Sequence, residues 1–107
     1  MTEEKQTAIS AVESKKDLIE KTADQIWDYA ELSLREEKSA AYYCRILEEE
    51  GFQVERGICG IQTAFSASFG NGSPRIGILA EYDALSGLSQ DGGKETCGTQ
   101  GGLYGTL

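Results

Sequence analysis

Glu81-Tyr82-Asp83 directly follows an apolar run, Ile76-Gly77-Ile78-Leu79-Ala80. Two carboxylates flanking a phenol could hold a metal, orient a ligand or do acid/base work. Their position adds to this, because open α/β sheets bind ligands outside the carboxyl ends of their strands. The same three residues could equally end a strand and begin a turn, and on residue types alone both readings stand. The rest of the inventory narrows the chemistry. The chain has no histidine, which excludes a Ser-His-Asp triad, a Cys-His dyad and imidazole-bound zinc within it. Cys44, Cys59 and Cys97 form no C-x-x-C pair, so a zinc ribbon or thioredoxin-type motif is absent. Glycines after residue 90 are not set in a G-x-x-x-x-G-K-[ST] pattern and precede no helix-forming run, which makes a phosphate loop a poor reading.

Length and charge exclude further classes. A chain of 107 residues allows one domain or part of a larger one, with a modest core. Ten basic against 18 acidic residues give a net charge of −8. Such a chain is repelled by nucleic-acid phosphates and by anionic lipid, so neither is expected as a partner. An odd cysteine count and a polar N-terminus without an apolar segment behind it suggest a reducing, cytoplasmic setting. No stretch approaches the ~18 apolar residues of a membrane span.

The elements that would position Glu81-Tyr82-Asp83 follow from periodicity. Ile19, Ala23, Ile26, Trp27 and Ala30 recur at spacings of three and four, with Val12 one heptad earlier, which predicts a helix over about 7–32. Ser33-Leu34-Arg35-Glu36 fits a capping box at the start of a second helix. Ala40, Tyr43, Cys44 and Leu47 would be its inner face, and Gly51-Phe52 would end it in a Schellman motif. The Glu48-Glu49-Glu50 run reads as a solvated face. Gln53-Val54-Glu55-Arg56 reads as a short strand. Thr63, Phe65, Ala67 and Phe69 alternate with smaller residues, as in a half-buried strand. Asn71-Gly72 marks a hairpin turn. The unalternating run 76–80 suits a central strand covered on both faces. The fold class expected is therefore α/β: two N-terminal helices, then a β-hairpin and a central strand.

Taken together, Arg75 to Gln90 and the elements upstream resemble the opening of a zinc metallopeptidase and amidohydrolase family, that of aminoacylases and carboxypeptidases. The run Ala80-Glu81-Tyr82-Asp83-Ala84-Leu85-Ser86-Gly87-Leu88-Ser89-Gln90 is similar to the first metal-site motif of its p-aminobenzoyl-glutamate hydrolase branch, A-E-Y-D-A-L-P-G-L-S-Q, with Ser86 in place of proline. Ala40-Ala41-Tyr42, Leu47, Gly51-Phe52-Gln53-Val54 and the 63–72 segment match as well. The resemblance implies that the chain opens a three-layer α/β/α sandwich. It also implies a two-domain enzyme several times longer, holding zinc or manganese and hydrolysing an amide through metal-bound water. Asp83 would then support the metal site, with Glu81 and Tyr82 near substrate and metal. Residues 1–85 would be the N-terminal part of the catalytic domain, and 86–107 a glycine-rich tail, flexible or frame-shifted.

The likeness breaks down where the branch reads H-G-C-G-H-N. Here Glu95-Thr96-Cys97-Gly98-Thr99-Gln100 stands instead. Cys97 overlays the expected cysteine ligand, while Glu95 and Thr99 replace the two histidines. A threonine hydroxyl is a poor substitute for imidazole. An interrupted reading frame near residue 90 and a genuine short relative without its metal site both suit this tail. The chain alone is expected to hold no cofactor and to be inactive. A small noncatalytic module, acting by self-association or partner binding through an exposed sheet edge, is the alternative.

Overall fold

The computed structural model describes residues 2–86. Three helices come first: α1 (Glu3–Ser14), α2 (Lys16–Tyr29) and α3 (Glu37–Glu49). Two strands follow, β1 (Gln53–Arg56) and β2 (Phe65–Ser68), with a 3-10 turn (Ile58–Gly60) between them. This is the α/β arrangement expected from the sequence. The further layers of a sandwich do not lie among the described residues.

One long N-terminal helix was expected, but the structure has two. Thr2 caps α1 by accepting from the Lys5 amide at 3.2 Å. No residue of α1 is buried, and Val12 lies exposed. The chain leaves helical geometry at Lys15 (φ −103°, ψ 7°), whose ammonium meets Glu50 Oε2 at 2.9 Å. The apolar stripe gains burial only from Leu18 onward, so nothing holds the first segment in line with the second. α2 buries Ile26 and ends at Ala30, which takes a left-handed conformation (φ 46°). The buried apolar residues are Ile26 and Ala30 at the end of α2, Ala40 and Cys44 of α3, and Ala84, a core of mostly small side chains.

The start of α3 departs from the capping box. Glu36 is its N-cap residue and provides no side-chain cap, and Ser33 sits in a turn three residues earlier. Glu31, further upstream, takes over. Its carboxylate accepts from the Ser39 amide at 2.7 Å and from the Lys38 amide at 3.0 Å. Two orphan donors of the first turn are thus satisfied by an anion, which the helix dipole also favours. The other end matches the expectation. Gly51 has φ 95°, the Phe52 amide donates to the Leu47 carbonyl at 2.9 Å, and the Gly51 amide to the Glu48 carbonyl at 3.0 Å. That is the double hydrogen bond of a Schellman motif.

β1 and β2 pair antiparallel, with Gln53 opposite Ser68 and Arg56 opposite Phe65. The hairpin therefore joins 53–56 to 65–68 through residues 57–64, and Asn71-Gly72 is not its turn. The run 76–80 is not a strand in this structure. Ile76, Ile78 and Leu79 are 87%, 91% and 93% exposed. A central strand needs neighbours on both edges and a layer on each face, and the described residues supply neither. Cys44 is buried as expected, and Cys59 is exposed in the glycine-flanked bend.

Candidate functional site

The segment carrying Glu81-Tyr82-Asp83 is fixed to the rest of the fold at two points. The Ala84 amide donates to the Glu31 carbonyl at 2.7 Å, and Ala84 forms an isolated parallel bridge with Leu32. Two residues earlier, Tyr82 inserts its ring against Tyr43 of α3 and Phe65 of β2, with centroids 5.9 and 6.1 Å away. Tyr43 and Phe65 also touch each other, at 5.5 Å. The three rings form one cluster in tilted geometry, an arrangement favoured by the ring quadrupoles. The Tyr82 hydroxyl donates to the backbone carbonyl of buried Thr63.

Alternation along the segment sets the rest. With Tyr82 turned inward, Glu81 is exposed, and half-buried Asp83 is engaged by neighbours. Glu81 and Asp83 are thus held on a short segment that Tyr82 and Ala84 pin to α3, β2 and the α2–α3 connection.

Burial first, and then nearby Glu36, Cys44 and Glu31, push the Tyr82 phenol up to about 12 against the opposing charge of Arg56. A phenol that stays protonated at neutral pH and already donates to a carbonyl is an anchor, not a proton shuttle. Burial also raises the Cys44 thiol, against the opposing charge and hydrogen bond of Arg56. Cys44 thus behaves as a packed side chain rather than a nucleophile.

Sequence reading missed two residues that build this arrangement. Glu31 ties both α3 and Ala84 to the end of α2, and Thr63 receives the Tyr82 hydroxyl. Glu31 lies eight residues before Ser39, outside the spacing of any local capping motif, so no sequence signal marks it. Thr63 acts through its backbone carbonyl, which side-chain identity does not reveal.

The described residues do not suit a metal ion. Among them no group of three or more histidine, cysteine, aspartate or glutamate residues could hold one. Glu81 and Asp83 alone do not close a tetrahedral or octahedral shell. Cys97, with Glu95 and Thr99, lies outside the described residues. A shallow groove of about 330 Å³ is lined by Tyr29, Lys38, Ala41, Tyr42 and Arg45, none of them from the Glu81–Asp83 segment. Among the described residues no helix is long and apolar enough to cross a membrane.

Comparison with known proteins gives the chain its kin. No family model matches it, and no solved structure matches it significantly. It is 47% identical over 83 residues to one of the p-aminobenzoyl-glutamate hydrolase subunits of Escherichia coli (strain K12). The match takes in 78% of this chain and 17% of that protein, so the chain spans about a sixth of the length of the curated relative it matches. Identity at that level across most of the chain reflects common descent: this chain is a homologue of the matched stretch of that subunit.

Proposed function

We propose that this chain is the N-terminal part of a metal-dependent amidohydrolase that cleaves the amide bond of N-acyl or aminobenzoyl amino acids. The 47% identity to the E. coli p-aminobenzoyl-glutamate hydrolase polypeptide carries this reading. Asp83 supports the metal site of the assembled enzyme, while exposed Glu81 on the same segment faces outward toward substrate. Tyr82 orients both by anchoring the segment between them. Residues of this chain position the site, and the histidine ligands expected for its metal, zinc or manganese, are not among the residues of this chain. No catalytic step is therefore assigned to the chain alone.

The substrate is a small-molecule amide, met in the cytoplasm. Purified chain, supplied with zinc or manganese and p-aminobenzoyl-glutamate, is expected to release no p-aminobenzoate above the uncatalysed rate. Turnover accompanied by stoichiometric metal would overturn the reading.

One observation favours a second reading, a noncatalytic module acting by association. Ile76, Ile78 and Leu79 stand almost fully exposed in close succession. Contiguous apolar surface of this kind marks an interface more often than a free surface.

A further inference from the structure

Asn71 is the chain's single asparagine, and Gly72 follows it. The pair has the chemistry of a hairpin turn, yet it closes no hairpin here, since it lies beyond the end of β2 at Ser68. A type I′ turn would hold both residues at positive φ. Neither has positive φ in this structure. Both are exposed and belong to no helix or strand. Among the described residues no hydrogen bond is made by the Asn71 carboxamide or the Gly72 amide.

Those features suit one reaction. The Gly72 nitrogen stands one residue along from the side-chain carbonyl carbon of Asn71, so a bond between them closes a succinimide ring. Carrying both partners on one short stretch of chain makes the step unimolecular. A side chain at 72 would crowd the approach, but glycine has none, and the space a Cβ would take is open. The backbone must also rotate for the ring to close, and no hydrogen bond among the described residues locks it.

We propose that Asn71 is a self-modification site, at which the chain converts its own asparagine to aspartate and isoaspartate. The Gly72 nitrogen gives up its proton and bonds to Asn71 Cγ. The Cγ–Nδ2 bond breaks, and Nδ2 leaves with that proton as ammonia. One water then opens the ring. Opening at Cγ gives aspartate, and opening at the Asn71 backbone carbonyl carbon gives isoaspartate, with the chain running through Cγ. Nothing is oxidised or reduced, and water is the co-reactant. Each event adds one negative charge to the net −8. The isoaspartyl product also adds a methylene to the backbone between β2 and the Tyr82 and Ala84 anchors. The reaction needs neither metal nor the rest of the enzyme.

In the test, purified chain and a synthetic peptide of residues 66–76 are incubated side by side in mildly alkaline buffer at body temperature. Peptide mass mapping follows replacement of NH by O at Asn71, and chromatography separates the two isomers. The native chain should react within about tenfold of the peptide's rate, because no local opening has to come first. Both aspartyl and isoaspartyl products should form. Gly72→Ala should slow the reaction at least about tenfold by hindering the approach of the reacting atoms. Asn71 and Gly72 are exposed, so Gly72→Ala should keep the melting temperature of the wild type. A native chain more than about tenfold slower than the peptide would overturn the proposal. So would aspartate formed without isoaspartate, or a rate that ignores Gly72→Ala.

Discussion

Removing the carboxylate of Glu31 should destabilise the chain more than any other single change at a polar residue. It accepts from the Ser39 amide at 2.7 Å and the Lys38 amide at 3.0 Å. Ser39 is fully buried, so its amide has no access to water once the acceptor is gone. A side-chain cap is worth about 1 kcal/mol, and a buried donor left unsatisfied costs about 1–3 kcal/mol. The Lys38 amide is exposed and can recover a water, so its loss adds little. Glu31→Ala should therefore cost about 2 kcal/mol. For a domain of this size each kcal/mol lowers the melting temperature by about 4–8 °C, which places the expected drop near roughly 8–16 °C. Thermal unfolding followed by far-ultraviolet circular dichroism reads this directly. Glu31→Gln retains one acceptor oxygen and should lose about half as much. Ser33→Ala serves as the counter-test, because a capping box would make Ser33 the sensitive residue. Its cost should stay within about 0.5 kcal/mol, as for an ordinary surface change. If Ser33→Ala destabilised the chain more than Glu31→Ala, the assignment of the cap to Glu31 would be refuted.

Three other outcomes are expected. Gly51→Ala forces a side chain into φ 95° and places a Cβ 3.4 Å from Phe69 Cε2; urea unfolding should show a loss of about 1–2 kcal/mol. Tyr82 has an ordinary value of 10.0 in the unfolded chain and about 12 in the folded one. The folded state holds that proton more tightly, so its contribution is fully present below pH 10 and disappears as pH rises through about 12; urea midpoints across that range should fall for the wild type and fall less for Tyr82→Phe. A thiol reagent should modify Cys59 in the native chain and leave Cys44 untouched until denaturant is added, as peptide mass mapping would show, because Cys44 is buried with a raised thiol pKa.

What the sequence made legible was local. The Schellman end of α3 needs only glycine and a following apolar residue, and both stand at 51 and 52. The inner face of α3 follows from helical spacing, and the structure buries Ala40 and Cys44 as that spacing requires. The carboxylate segment was legible as a motif, because residue identity over a continuous stretch carries it. What stayed hidden depends on contacts between distant residues. The break at Lys15 falls where the helix buries no residue, a fact of tertiary structure rather than propensity. The cap from Glu31 crosses a connection whose path the sequence does not specify. The turn at Asn71-Gly72 has the right chemistry for a hairpin, yet β2 pairs backward with β1. The apolar run 76–80 has the composition of a central strand, and its neighbours are not among the described residues.

The reading of Asp83 and its segment is tested most directly by a chimera. The stretch of the E. coli relative that corresponds to this chain's matched residues would be replaced by those residues, and release of p-aminobenzoate from p-aminobenzoyl-glutamate followed. The chimera should turn over substrate, and Asp83→Asn within it should lower the rate about 10- to 100-fold, the range for residues supporting a metal site. A folded, metal-loaded chimera without activity, or one whose rate ignores Asp83→Asn, would contradict the proposed role.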